Sequence, residues 1–195
     1  DAMLRMMNYV DDMSDRGLVL NPMRKWDGNK EHEFIISGWS DSDYAKDTQT
    51  RKSISGYRVI LEGAPVMFKS STQKSVALSV CEAEQTAGVL CAQDMLYVRH
   101  IIELMGLKVK LPMIFEMDNK GAVDLANNWS IGGRTRHVDV RQCFLRELKE
   151  SKVMDIRWIK GSENNADVFT QNLDGPAFEK CIRTLVGQDV HMKSY

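Results

Sequence analysis

The order of apolar patterns constrains the fold of this chain more than any other feature. Apolar runs predict three strands in a meander, at FIISGWSDSD, GYRVILEG and APVMFKS, with EGAP as the turn between the last two. Helical spacing then predicts a long helix from about Val80 to Met105 that ends at Gly106. The later patterns predict a strand at PMIFEMD, helices at NKGAVDLANN and RHVDVRQCFLRELKES, a strand at VMDIRWIKG, and helices at NNADVFTQNL and GPAFEKCIRTLVG. This order predicts an α/β domain with a mixed five-stranded sheet flanked by helices.

The composition fits an ordinary globular domain. The 195 residues are enough for one core, and 27% of them are charged. No apolar run approaches the ~18–20 residues that span a bilayer, so we expect no membrane partner. The four cysteines form no C-x-x-C pair, which argues against a zinc site. Because the first residue is Asp1 and not Met, we expect a piece of a longer protein.

Positive charge is concentrated in two stretches, although the net charge is −1. Residues 48–78 carry five basic side chains against one acid, and residues 132–146 carry four against one. Such stretches could hold phosphates. On charge alone, an ordinary solvated surface is the better interpretation.

Carboxylates stand at the edges of the predicted elements. Asp41 and Asp118 fall at the ends of two strands, where open α/β sheets form ligand crevices, although aspartates there are also common turn formers. Asp167 falls in the first turn of a predicted helix, a position that the helix dipole also favours.

The long helix offers two glutamates near its start. Glu82 follows Ser79 at capping-box spacing, which gives it a structural role. Glu84 shares a face with Ala87, Gly88 and Cys91, and a glutamate on such an apolar face is costly to bury unless it is paired or binds a metal. We therefore expect Glu84 to carry chemistry and Glu82 to cap the helix.

Several sequence motifs of the chain resemble those of a known family. GWSDSDYAKDTQTRKSISGY, KSSTQKSVALSVCEAE, DNKGAVDLANN, RTRHVDVRQCFLRE and NNADVFTQNL are similar, in order and spacing, to motifs of the ribonuclease H domain of copia-type LTR retrotransposons. The resemblance runs from about Gly38 to Leu173 and implies a ribonuclease H-like fold. It places the family's catalytic and metal-binding acids on Asp41, Glu84, Asp118 and Asp167.

The resemblance also implies a chemistry and a set of partners. Two Mg²⁺ ions, or Mn²⁺ as a substitute, would lie about 4 Å apart and promote hydrolysis of the RNA strand of an RNA–DNA hybrid. No small-molecule cofactor is expected. The reverse transcriptase domain of the same polyprotein would be a partner, in a cytoplasmic virus-like particle or in the nucleus. The predicted nucleic-acid contacts are Arg51, Lys52, Ser53, Lys69, Asn119, Arg134, Arg136, His137 and Asn164. Of these residues, Asn119 and Asn164 could equally orient ligands or cap helices. His137 could equally have a structural role.

The chain contains YVDD at residues 9–12, the four letters that carry metal-binding aspartates in reverse transcriptases. Only eight residues precede it, and Met13 is followed by a helix end and not by a hairpin strand, so we interpret Asp11 and Asp12 as part of a connecting helix. The predicted organisation is a connection segment at residues 1–30, a ribonuclease H-like domain at 31–173, and a C-terminal helix and tail at 174–195.

Some positions depart from the family. Phe68 stands where tryptophan is usual, and Cys143 where histidine is common. These departures leave open a domesticated ribonuclease H-like module, catalytically weak or inactive, that binds nucleic acid or a protein. An integrase core is a weaker alternative, because the chain lacks its three-acid spacing.

Overall fold

The computed structural model of the chain describes residues 22–127 and 136–186, together with positions 3, 4, 7, 11, 17, 18 and 20. The side chains at 136–140, 142, 184 and 186 are outside this description. The strands are β1 (Glu33–Phe34), β2 (Ile36–Asp43), β3 (Ile54–Leu61), β4 (Ala64–Thr72), β5 (Lys108–Val109), β6 (Met113–Met117) and β7 (Met154–Trp158). The helices are α1 (Val80–Leu104), α2 (Lys120–Asn127), α3 (Arg136–Glu150) and α4 (Gly175–Val186).

A mixed sheet of five strands forms the centre of the fold, as predicted, in the order β4-β3-β2-β6-β7. The meander β2-β3-β4 is antiparallel because short turns connect its strands. β6 and β7 run parallel to β2, since helices supply the crossovers. Parallel pairing brings the ends of β2 and β6 to one edge of the sheet, and this edge carries the candidate site.

α1 lies across the sheet through the apolar face that the sequence predicts. Its buried residues include Ala83, Ala87, Cys91 and Met95. Gly38 of β2 makes the close approach possible, because a Cβ there would lie 2.9 Å from the Cys91 sulfur. The long helix is thereby fixed against the strand that carries Asp41.

The start of α1 confirms the capping role of Glu82. The Ser79 hydroxyl accepts a hydrogen bond from the Glu82 backbone N–H at 3.1 Å. The Glu82 carboxylate in turn accepts from the Leu78 N–H at 2.8 Å, one residue before the position that the capping box predicts. Glu82 is therefore occupied at the helix N-terminus.

Two expectations about secondary structure were wrong. NNADVFTQNL is not an α-helix: it contains a 3₁₀ turn at Asp167–Phe169, after a separate one at Gly161–Glu163. Asn164 between them is extended, because its side chain donates to the Ser40 carbonyl at 3.0 Å and accepts from the Ala166 N–H at 3.1 Å. NKEHE, whose polar composition predicts a spacer before the first strand, contributes Glu33 to β1, which pairs in parallel with β5.

The last residues of the predicted connection segment contact the β3–β4 turn. Arg24 donates to the Glu62 carboxylate at 2.8 and 2.6 Å, and Glu62 also accepts from the Ile35 N–H at 2.8 Å. The spacing of apolar residues from Met3 to Met13 predicts the connecting helix. This stretch lies largely outside the described residues, so the prediction stands untested. Within the part of the chain that is described, no helix combines the length and apolarity needed to cross a membrane.

Candidate active site

Three of the four predicted acids converge at one edge of the sheet. Asp41 lies near the end of β2, Asp118 directly follows β6, and Glu84 reaches them from the first turns of α1. One carboxylate oxygen from each residue lies within 4.8 Å of the others. Because Ser40 of β2 pairs with Met117 of β6, the two aspartates leave adjacent strands at the same level.

Glu84 is almost completely buried, with 3% of its surface exposed. Its Oε1 accepts hydrogen bonds from the Ser42 backbone N–H at 3.2 Å and the Ser42 hydroxyl at 2.9 Å. Its Oε2 is buried and has no hydrogen-bond partner among the described residues. Burial, and then repulsion from Asp41 and Asp118, raises the pKa of Glu84 to about 9.

Asp41 is also buried, and one of its carboxylate oxygens accepts a hydrogen bond from the Thr170 hydroxyl. Burial raises the pKa of Asp41 to about 6; the Thr170 bond opposes that rise and the Asp118 charge adds to it.

Asp118 is more open to solvent than these two acids, and its pKa is raised by burial against a lowering contribution from the Asn164 side chain. Its backbone carbonyl accepts from the Trp158 indole at 2.8 Å. Gly161 leaves room for its carboxylate, since a Cβ at that position would lie 3.2 Å from Asp118 Oδ2.

Asp167 lies beside the group of three and opens the second 3₁₀ turn. Its Oδ1 is buried without a hydrogen-bond partner in the described part of the chain. Burial is the largest cause that raises the pKa of Asp167 to about 7, followed by repulsion from Asp41 and Asp118. Asp167 is therefore near enough to Asp41 and Asp118 for their charges to act on it.

The arrangement fits divalent cations. Every candidate ligand atom is a carboxylate oxygen, and hard oxygen donors suit Mg²⁺ or Mn²⁺. Two of these oxygens, on Glu84 and Asp167, are buried without a partner among the described residues, which is costly unless a cation binds them. The raised pKa values have a related cause, since burial and the neighbouring carboxylates disfavour the charged forms of Glu84 and Asp167 when no cation is present.

The structure describes the side chains of only some of the predicted nucleic-acid contacts. Arg51 and Lys52 lie on the β2–β3 loop at the same end of the sheet as Asp41, and Lys69 is exposed on β4. Arg134 falls outside the described residues, as do the side chains of Arg136 and His137 in the first turn of α3. Their roles stay predictions.

Three of the predicted contacts have structural partners instead. Ser53 is fully buried and its hydroxyl accepts from the Ala45 N–H at 3.0 Å, so the prediction that it touches nucleic acid was wrong. Asn119 caps α2 by accepting from the Ala122 N–H at 2.9 Å. Asn164, only 2% exposed, bonds Ser40 and acts on Asp118, which matches the alternative role of orienting ligands.

One basic residue of the first basic stretch is buried, and two hydroxyl groups that were not predicted contact the acids. Arg58, counted in the basic stretch, is buried over the Trp39 ring at 4.6 Å from its centroid. Ser42 and Thr170 bond directly to the acids. Ser42 could have been predicted as a partner of Glu84. It follows Asp41 directly and lies on the face of β2 that α1 covers.

Comparison with known proteins places the chain among transposon proteins, although no family model matches it. It is 34% identical over 153 residues to a retrovirus-related Pol polyprotein from transposon TNT 1-94 of Nicotiana tabacum, covering 78% of this chain and 11% of the relative. It is 25% identical over 185 residues to the Pol polyprotein from transposon RE2 of Arabidopsis thaliana, covering 95% of this chain and 12% of that protein. The chain thus spans about a tenth of the length of these relatives.

A third relative has a different description. Secreted RxLR effector protein 161 of Plasmopara viticola is 39% identical over 86 residues, which are 44% of this chain and 55% of the effector.

The fold matches that of a solved ribonuclease H. The crystal structure of LC11-RNase H1 in complex with an RNA/DNA hybrid aligns with a TM-score of 0.50 over 77% of this chain and 99% of the other, at 14% identity. At this identity the alignment establishes the ribonuclease H fold alone, and it confirms the fold class that the sequence predicts.

Proposed function

Because this chain belongs to the ribonuclease H domains of copia-type transposon Pol polyproteins, we propose that it hydrolyses the RNA strand of RNA–DNA hybrids with divalent cations. The observation that carries the proposal is the convergence of Asp41, Glu84 and Asp118, with oxygens within 4.8 Å of one another. The unpartnered Glu84 oxygen and the nearby Asp167 complete an all-oxygen ligand set.

The four acids would hold a pair of Mg²⁺ or Mn²⁺ ions. When bound, such ions supply Lewis acidity for the attack of water on phosphorus and for the departure of the 3′ oxygen. The protein's own contribution is preorganisation. Ser42 holds one Glu84 oxygen and Thr170 holds one Asp41 oxygen, so the remaining oxygens are fixed toward the shared centre before substrate arrives.

The proposed substrate grip uses basic residues of the β2–β3 loop and of β4. Arg51 and Lys52 on the β2–β3 loop, and Lys69 on β4, would contact phosphates of the hybrid. Arg134, Arg136 and His137 are further proposed contacts with the hybrid. Strand choice would depend on 2′-hydroxyls in the wide minor groove, which mark the RNA.

The decisive experiment compares three labelled duplexes. Purified protein is incubated with an RNA–DNA hybrid, duplex RNA and duplex DNA, each with Mg²⁺, with Mn²⁺ or with chelator. We expect metal-dependent cleavage of the RNA in the hybrid, leaving 5′-phosphate and 3′-hydroxyl ends, and intact duplex DNA. Asp118→Asn should abolish the signal while the variant remains folded. Equal cleavage of duplex DNA, or activity that survives Asp118→Asn, would refute the proposal.

We further propose that the domain works beside the reverse transcriptase of the same polyprotein, in a virus-like particle in the cytoplasm or in the nucleus. The Pol polyproteins that it resembles support this, although the chain spans only 11–12% of their length. The contact of Arg24 with Glu62 supports a defined junction between residues 1–30 and the domain. Fusing the preceding polymerase region should increase hybrid affinity, and loss of that gain in Glu62→Gln would support the junction.

A second candidate is a noncatalytic ribonuclease H-like module that binds nucleic acid or a protein. The match to a secreted effector favours it, because that protein carries a related segment without being described as a polyprotein. Tight binding of the hybrid without cleavage under either metal would support the module. Cleavage that depends on Asp118 would exclude it.

A further inference from the structure

Thr170 occupies a connecting position between two acids that come from distant parts of the chain. Its side chain is 5% exposed. Its hydroxyl donates to the Asp41 carboxylate, 129 residues away in sequence, and its oxygen lies 3.1 Å from the Asp167 carbonyl. The Thr170 backbone N–H donates to the same carbonyl at 3.0 Å. One residue therefore joins the strand of the first acid to the turn of the fourth.

The turn that carries Asp167 has little support of its own. It is a 3₁₀ segment of three residues, too short to fix a side chain through helix rigidity. Its attachment to the sheet comes from its neighbours: Asn164 bonds Ser40, Phe169 stacks on Phe68 with ring centroids 5.9 Å apart, and Thr170 bonds Asp41. Among these contacts, the Thr170 bond is the one made to a candidate ligand directly.

The sheet is shaped to let Thr170 approach. Gly56 of β3 pairs with Asp41 of β2. A Cβ at Gly56 would lie 2.6 Å from Thr170 Cγ2 and 2.8 Å from Phe169 Cβ, so a larger residue there would displace the turn. The absence of a side chain at Gly56 and the hydroxyl at Thr170 thus act on the same contact.

We propose that Thr170 is a positioning residue that fixes Asp41 for cation binding and holds the Asp167 turn at the site. This inference rests on the proposed metal-dependent function. The hydroxyl engages one Asp41 oxygen and leaves the other for the cation, as Ser42 does for Glu84. Removal of such supporting partners commonly lowers metal affinity or activity about 10- to 100-fold.

The test measures Mn²⁺ binding by electron paramagnetic resonance on metal-free protein, without substrate. Thr170→Val keeps the shape and removes the hydroxyl, and we expect its Mn²⁺ affinity to fall about 10- to 100-fold. Thr170→Ser restores the hydroxyl and should bind close to wild type. Thr72→Val, at the exposed end of β4, is the matched control and should change nothing. Urea unfolding with chelator reports whether each variant is folded.

Gly56→Ala provides an independent variant. It leaves the hydroxyl in place but should push the turn from Asp41 and weaken Mn²⁺ binding as Thr170→Val does. Wild-type Mn²⁺ affinity in folded Thr170→Val, or in folded Gly56→Ala, overturns the inference. If the wild-type protein cleaves the hybrid and Thr170→Val binds Mn²⁺ equally well, only the role of Thr170 fails. If the wild-type protein itself takes up no Mn²⁺, the proposed function fails with it.

Discussion

Replacing Glu84 with glutamine should make the metal-free protein more stable while it abolishes cleavage. Burial and the neighbouring aspartates raise the pKa of Glu84 to about 9 from an ordinary value near 4.5. The folded state therefore keeps a proton on Glu84 that the unfolded chain releases above pH 4.5. Because the folded state binds more protons, the free energy of unfolding falls as pH rises from about 4.5 to about 9.

The size of this loss follows from the pKa difference. Each pH unit in the interval removes about 1.4 kcal/mol from the free energy of unfolding. Between pH 4.5 and pH 7 the loss from Glu84 alone is therefore about 3 kcal/mol. Glutamine cannot release this proton, and its oxygen can still accept from the Ser42 N–H and hydroxyl. The Glu84→Gln variant should match wild type near pH 4.5 and exceed it by about 3 kcal/mol at pH 7.

The assay is urea unfolding with chelator at a series of pH values from 4.5 to 8, followed by titration with Mg²⁺. Metal should stabilise the wild-type protein more than the variant, because the variant has lost one of the four carboxylates proposed to bind it. Glu82→Gln is the matched control: it weakens a helix-terminal hydrogen bond, costs about 0.5–1 kcal/mol and leaves cleavage intact. If metal-free Glu84→Gln is no more stable than wild type at pH 7, the burial argument is wrong. If Glu82→Gln is the inactive variant, the wrong glutamate was chosen.

Three further outcomes are expected. The double change Asp11→Asn and Asp12→Asn should leave Mn²⁺ binding and hybrid cleavage unchanged, and loss of either would mean that YVDD takes part in the site. Changing Arg51 and Lys52 to alanine should weaken hybrid binding and lower the magnitude of the slope of log affinity against log salt by about 1–2, as measured by fluorescence anisotropy. An unchanged slope would mean that the β2–β3 loop does not contact the phosphates. Ser53→Ala should lower the free energy of unfolding by about 1 kcal/mol and leave the salt slope alone, since its hydroxyl holds the Ala45 N–H. A changed slope in Ser53→Ala would restore its predicted contact with nucleic acid.

The choice between the two glutamates shows what the sequence can determine. Helix periodicity assigns Glu84 to an apolar face and Glu82 to the cap, and the structure places both as expected. These are local arguments: three or four residues of spacing decide which way a side chain points. Parallel pairing of β2 and β6 could likewise be anticipated from the long helix α1 between them, and that pairing brings Asp41 beside Asp118.

What the sequence could not determine depends on distant contacts. The predicted helix around Asp167 is broken because Asn164 bonds Ser40, which is 124 residues away. Ser53 was predicted from the family resemblance to contact nucleic acid, but it is buried and its hydroxyl accepts a hydrogen bond from the Ala45 N–H. Neither spacing nor local charge records which side chain meets a backbone group from another element.

The energetics of the acid cluster bear on whether the domain is a nuclease or an inert module. Four carboxylates whose pKa values are all raised represent repulsion and burial that the metal-free fold must carry at neutral pH. An inert module would gain stability from losing any one of them, as Glu84→Gln is expected to demonstrate. Yet the chain keeps the acids together with the hydroxyls of Ser42 and Thr170 that orient them. A site that lowers the stability of the fold and contains buried oxygens without hydrogen-bond partners is typical of a centre that binds a charged ligand. A cation that neutralises the cluster would restore that stability. Urea unfolding with and without Mg²⁺ therefore measures the destabilisation by the acids and also tests the catalytic interpretation.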